Sequence, residues 1–188
     1  MNYPSGIVKK FVKNTTYNNR GMQLEDAINN SNAYYLVNNI AVIYKKPTPI
    51  KVLKIAYVGN KQKICDGYFE KPSTTDYNGI YKGKYIDFET KETNNDLGFP
   101  LANIHQHQLD HIKRVYEHGG ITFIVVRFTS LNLTYYLDGS KLLKFLTENT
   151  KKNISIKYFE EYGVILKDGL NPRINYLKII DNIYFKGE

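Results

Sequence analysis

The sequence predicts an α/β protein, a mixed β-sheet flanked by helices and carrying a long β-hairpin, and three observations support that expectation. Residues 121–128 read ITFIVVRF, an apolar run typical of a strand buried on both faces. Residues 85–91 alternate instead, with Tyr85, Asp87, Glu89 and Lys91 on one side and Ile86 and Phe88 on the other. Segments of helical period, at about 20–38, 101–117 and 175–185, fall between and after such strands. A chain of 188 residues can bury one core. No repeat or linker divides it, so 19–188 is expected to be one domain, preceded by a flexible basic arm, 1–18, with Lys9, Lys10 and Lys13.

The net charge of +8 favours an anionic partner, nucleic acid first and an anionic membrane second. No run approaches the length of a membrane span, and the start MNYPSGIVKKF lacks the apolar stretch of a signal peptide, so the expectation is a cytoplasmic protein with no membrane partner. The single Cys65 has no internal disulfide partner and reads as a small buried or half-buried residue.

In chain order, Arg20 to about Asn38 places Leu24, Ile28, Tyr35 and Leu36 near helical spacing, with Glu25 and Asp26 in the first turns where the helix dipole favours acids. Ile40 to Tyr44 is a short strand, broken by Lys45-Lys46-Pro47-Thr48-Pro49. Two alternating stretches, 51–57 and 63–69, flank Gly59-Asn60-Lys61 and make a basic hairpin over about 50–70. Lys51, Lys54, Lys61 and Lys63 suit phosphates; Tyr57, Tyr68 and Phe69 suit either bases or cross-strand packing. Asn78-Gly79 and Lys82-Gly83 tolerate positive φ and so mark a chain reversal before the 85–91 strand. Asn94 to Gly98 reads as a loop, and Pro100 suits the first turn of a helix running from Leu101 to about Glu117 and stopping at Gly119-Gly120. Its apolar stripe of Leu101, Ile104, Ile112 and Val115 contains Gln108, an amide that requires a hydrogen-bond partner. His105, His107 and His111 lie on the same helix; they lack a convincing further ligand for zinc, and solvent exposure or DNA contact is expected for them. After the buried strand come a turn near Leu131-Asn132, a strand LTYYL, and a short helix capped by Ser140. Residues 150–172 show little period, and Asn175 to Phe185 closes the chain as an amphipathic helix.

The chemistry concentrates in residues 73–93. The reversal returns Asp76 towards Glu89, and Lys91 shares the face of Glu89 roughly 6 to 7 Å along the strand. Two facing carboxylates repel unless a cation lies between them, and Mg²⁺, with its preference for oxygen ligands, suits such a pair, with Mn²⁺ as a substitute. Such a centre could polarise a phosphodiester while Lys91 stabilises transition-state charge. Taken alone, D-x12-E-x-K also fits an exposed strand face that ends in Glu and Lys.

The residues around this site resemble the RecU family of Holliday junction resolvases. Thr74-Thr75-Asp76-Tyr77-Asn78-Gly79-Ile80-Tyr81-Lys82-Gly83, Tyr85-Ile86-Asp87-Phe88-Glu89 and Lys91-Glu92-Thr93 carry the resemblance. It extends in order to Asn19-Arg20-Gly21-Met22, Lys45-Lys46-Pro47-Thr48-Pro49, Phe99-Pro100-Leu101 and Pro172-Arg173-Ile174. The resemblance implies a restriction-endonuclease-like fold with a PD-(D/E)xK nuclease site, here with Thr75 in place of the proline. It also implies a homodimer, a hairpin that projects as a stalk into a four-way DNA junction, and symmetric nicking during recombination and repair. It carries Thr74 and Gln108 onto the metal site beside Asp76 and Glu89, leaves Glu25 and Thr75 as supporting residues, and adds Arg20 to the DNA-contacting set of Lys51, Lys54, Lys61, Lys63 and Tyr68. A RecA-type recombinase and branch-migration machinery are further partners it suggests. The alternatives are a related nuclease with another DNA target, and a non-catalytic junction-binding or recombinase-modulating protein.

Overall fold

The computed structural model describes residues 18–69 and 74–186, with side chains from residue 24 onward. The expected arm lies outside the described residues, as does the side chain of Arg20. Helix α1 (Asn18–Val37) packs on a six-stranded sheet formed by β1 (Val42–Lys45), β4 (Tyr77–Tyr81), β5 (Lys84–Thr93), β7 (Ile121–Phe128), β8 (Leu133–Asp138) and β10 (Val164–Ile165), in that spatial order. All neighbours are antiparallel except β5 and β7, which run parallel from Ile86↔Ile121 to Thr93↔Phe128. Parallel neighbours need a crossover, supplied here by α2 (Gln106–Glu117). The sheet is therefore mixed, and helices cover both faces.

Each face has its own apolar cluster. Ile86, Phe88, Phe123 and Val125 pack with Leu24 and Ile28 of α1 and with Leu177 and Ile180 of α5 (Leu177–Tyr184). Ile124, Val126 and Phe128 pack on the opposite face with Ile112 of α2 and with Leu142 and Phe145 of α3 (Gly139–Glu148). Alternation along β7 thus feeds two cores from one apolar run, which is why that strand carries no polar face.

The hairpin stands apart from this sheet. Strands β2 (Ile50–Val58) and β3 (Lys61–Phe69) pair only with each other, turning at Gly59 with φ 59°, and nearly every residue in them is exposed. With apolar and charged residues on both faces, this ribbon has no single face to bury. Cys65 shares that position and is exposed, contrary to the buried or half-buried setting expected of it.

Other departures have local causes. Only Lys82 and Gly83, at φ 46° and 74°, make the reversal between β4 and β5. Asn78 and Gly79 instead belong to β4, where Gly79 allows β1 to approach; a Cβ there would lie 2.1 Å from the carbonyl oxygen of Val42. The long helix expected from Leu101 starts at Gln106. Before it, Gly98–Pro100 forms strand β6 against β9 (Asn153–Ser155), and Leu101–Asn103 is a single 3₁₀ turn. Asp138, rather than Ser140, caps α3, its carboxylate accepting from Ser140 N–H at 2.9 Å. The weakly periodic segment after residue 150 contains β9, a two-turn helix α4 (Ile156–Tyr162) and β10, pieces too short to show a period.

Candidate active site

Strand pairing brings the predicted acids together. Because Tyr77 pairs with Phe88, Asp76 comes level with Glu89, and the Asp76 N–H donates to Glu89 Oε2 at 3.1 Å. The Asp76 carboxylate accepts from Thr90 N–H and from the Thr90 hydroxyl, both at 3.2 Å. Lys91 Nζ stands 2.5 Å from Glu89 Oε1. Asp76, Glu89 and Lys91 therefore form one cluster at the end of β5 nearest the start of β4.

Its electrostatics are set by burial. Glu89 has no exposed surface, and desolvation, followed by the negative charge of Asp76, pushes its carboxyl up to about 8 despite the opposing ammonium of Lys91. At neutral pH the Glu89 carboxyl therefore keeps its proton in the metal-free protein, and a cation between it and Asp76 would favour the ionised form. Their oxygen donors fit a hard divalent ion. Among the described residues no three His, Cys, Asp or Glu side chains group as a metal cluster, so a cation held by Asp76 and Glu89 would take its other ligands from neutral oxygens and water.

A second buried carboxylate sits two residues away on the same face. Asp87 is fully buried; its Oδ2 accepts from Lys46 Nζ at 2.6 Å and from the Tyr85 hydroxyl at 2.9 Å, and lies 3.1 Å from His111 Nε2. The Thr75 hydroxyl donates to Asp87 Oδ1. Lys46 Nζ also donates to Thr75 Oγ1 at 2.7 Å and to Thr74 Oγ1 at 2.9 Å. Sequence reading did not single out Asp87 or Lys46. The signal for Asp87 was its place two residues before Glu89 in an alternating strand; for Lys46 no local signal exists, because its three acceptors lie 28 to 41 residues away.

The remaining candidates divide. Thr75 is buried and joins the Asp87 cluster, and Thr74 is exposed at its edge. Gln108 is buried on α2, and its Oε1 accepts from His105 N–H at 3.0 Å within a capping box, so its carbonyl has a partner of the kind that a buried amide requires. Since α2 returns from the end of β5 to the start of β7 and His111 meets Asp87, Gln108 lies one turn further, towards Glu89. His111 thus serves a buried carboxylate rather than solvent, while the rings of His105 and His107 stack at 5.4 Å. Glu25 pairs with Lys45, and no hydrogen bond or ion pair joins it to Asp76 or Glu89. On the hairpin, Lys51, Lys54, Lys61 and Lys63 are exposed. Lys51 lies 5.8 Å from the centre of the Tyr68 ring, its partner across the ladder.

Comparison with known proteins adds a family to this geometry. Residues 19–182 match the family described as RecU, Recombination protein U. The chain is 47% identical over 178 residues to the Holliday junction resolvase RecU of Bacillus mycoides, covering 93% of this chain and 89% of that one. It is 46% identical over 188 residues to the protein of the same name from Bacillus cereus strain G9842, covering 98% and 94%. Among solved structures, Hjc, a Holliday junction resolvase of Archaeoglobus fulgidus, aligns with a TM-score of 0.45 and 12% identity over 77% of this chain and 95% of that chain. A match to the family over nearly the whole chain, with relatives near half identity along the same span, makes this chain a member of the RecU family.

Proposed function

We propose that the chain is a Holliday junction resolvase: a divalent-metal-dependent endonuclease that acts as a homodimer and nicks two symmetry-related strands of a four-way DNA junction. The observation that carries this reading is the convergence of Asp76, fully buried Glu89 and Lys91 in one cluster. Asp76 and Glu89 would hold Mg²⁺, or Mn²⁺ in its place, with Thr74 and Gln108 completing the oxygen set. Bound there, the cation supplies Lewis-acid stabilisation of the phosphoryl oxygens and lowers the pKa of a coordinated water.

The protein's own residues do the rest. Burial and the charge of Asp76 raise the Glu89 carboxyl to about 8, so holding a cation there would require Glu89 to give up its proton. Lys91, already beside Glu89, places a positive charge where the scissile phosphate gains negative charge in the transition state. Thr90 fixes the Asp76 carboxylate through two hydrogen bonds, so the site requires little reorganisation during reaction.

The hairpin supports the choice of a branched substrate. A two-stranded ribbon is marginal alone in water, and this one exposes Ile50, Leu53, Ile55, Tyr57, Ile64 and Phe69 together with its lysines. We assign it the role of a stalk that enters the open centre of the junction, with Lys51, Lys54, Lys61 and Lys63 on phosphates and Tyr68 near bases; Arg20 would extend this surface. Two-fold symmetry of a dimer then matches the two equivalent strands of the junction. Incubating the protein with a labelled four-way junction and with the matching linear duplex, in Mg²⁺, Mn²⁺ or EDTA, tests the reading. Paired metal-dependent nicks in the junction alone are expected; equal cutting of duplex would point to another nuclease target, and binding without cutting to an architectural or recombinase-modulating protein.

A further inference from the structure

Lys46 is the first residue past β1, four residues before β2 opens the hairpin, and Thr74-Thr75 stand just before Asp76 and β4. The β1–β4 ladder continues through Lys46, whose N–H donates to the carbonyl of Asp76 at 2.7 Å. A row therefore crosses three strands, from Lys46 to Asp76 to Glu89. The Lys46 side chain, only 13% exposed, lies on the sheet face that carries Glu89.

Its ammonium has three donors, and Thr74 Oγ1, Thr75 Oγ1 and Asp87 Oδ2 take all three at 2.9, 2.7 and 2.6 Å. No donor remains for a phosphate. The acceptor that matters most is Asp87, a fully buried carboxylate two residues from Glu89 on the same strand. One side chain thus joins the segment after β1 and the segment before β4 to the strand that bears the catalytic groups.

We infer that Lys46 is a positioning residue for the metal site: together with Asp87 it ties the segments after β1 and before β4 to β5 and holds Thr74, Thr75 and Asp76 in register with Glu89. This rests on the reading of Asp76 and Glu89 as the metal-holding pair. The cation at position 46 acts through Asp87 and the two threonines and does not touch DNA.

The test compares wild type, Lys46→Arg, Lys46→Met, Lys46→Met/Asp87→Asn and Asp76→Asn. Arginine keeps the charge, but its planar fork cannot set three donors on these three oxygens. For Lys46→Arg and Lys46→Met, junction affinity is expected to stay within about twofold and its salt dependence unchanged, since no phosphate contact is lost. Single-turnover cleavage is expected to fall about 100-fold in Lys46→Met, as for a displacement of about 1 Å in a catalytic group, and about tenfold in Lys46→Arg. The Mg²⁺ affinity of the DNA-free protein, measured by calorimetry, should fall about fivefold in both, because the metal-holding pair is disturbed before any DNA is present. The double variant should be no slower than Lys46→Met, because both groups act as one unit. A salt slope lowered by about one at unchanged rate would make Lys46 a phosphate contact and overturn the inference. So would wild-type rate and Mg²⁺ affinity in Lys46→Arg, which decides the matter if Lys46→Met does not fold. Asp76→Asn separates the two levels: if it still cleaves, the metal-site reading fails, whereas loss of cleavage there with wild-type behaviour at position 46 overturns only the positioning role.

Discussion

The acidic cluster along β5 and the β2–β3 hairpin are both rich in ionisable groups, and they use them in opposite ways. In the cluster Asp87 and Glu89 have no exposed surface, and each is held by a lysine, Lys46 or Lys91, so the groups are fixed and desolvated. On the hairpin four lysines stand in solvent on a ribbon with no core beneath it. Charge acts strongly where water is excluded and is screened within about 10 Å where it is not. The first arrangement suits chemistry at one point, and the second suits a grip on many phosphates.

The contrast predicts where substitution will hurt. Asp76→Asn and Glu89→Gln should each lower single-turnover cleavage of a junction by about a thousandfold or more while leaving affinity for it within a few fold, because a preorganised electrostatic centre is lost and the basic surface is not. Comparable losses of binding and cleavage would erase the distinction between the two regions. Next in size is a backbone effect. Gly79→Ala puts a Cβ 2.1 Å from the Val42 carbonyl in the central sheet and should cost about 3 kcal/mol or more, whereas Gly67→Ala, whose nearest approach is 2.9 Å within a ribbon that can shift, should cost about 1 kcal/mol. Chemical denaturation of the two variants checks this order.

A smaller effect follows from Glu89. Its carboxyl is raised from 4.5 to about 8 in the folded, metal-free protein, so its favourable contribution is complete below about 4.5 and is lost as pH rises through about 8. Thermal melts in EDTA should therefore drop by several degrees between pH 5 and pH 8.5 relative to Glu89→Gln, and Mg²⁺ should restore the wild type most at the higher pH. A parallel pH profile in the two proteins would remove Glu89 as the titrating group. Smallest of all, Lys61→Gln with Lys63→Gln should reduce the slope of log affinity against log salt by about two, one phosphate per lysine, without altering the cleavage rate of bound junction.

Local pattern made the central strands legible. Alternation from Tyr85 to Lys91 identified the catalytic strand and its faces, and the apolar run 121–128 identified its buried neighbour; the structure keeps both. The turn chemistry of Gly59-Asn60 placed the hairpin within a residue or two, but alternation cannot reveal whether a ribbon is covered, so Cys65 was misread. The start of α2 was missed because Gly98–Pro100 is a strand only through pairing with Asn153–Ser155, more than fifty residues on. Asp76, Glu89 and Lys91 were visible as a spacing. Asp87 and Lys46 were not, since a buried ion pair between an unremarkable strand residue and the residue after another strand exists only once the fold brings them together.

Cleavage of four-way DNA by Asp76, Glu89 and Lys91, with Lys91 stabilising the charged transition state, is checked first by single-turnover reaction of a labelled junction with Lys91→Ala, binding being measured in the same samples. Near-wild-type binding is expected, with cleavage at least about a hundredfold slower at saturating Mg²⁺. Symmetric nicking by Lys91→Ala at the wild-type rate would remove Lys91 from the reaction.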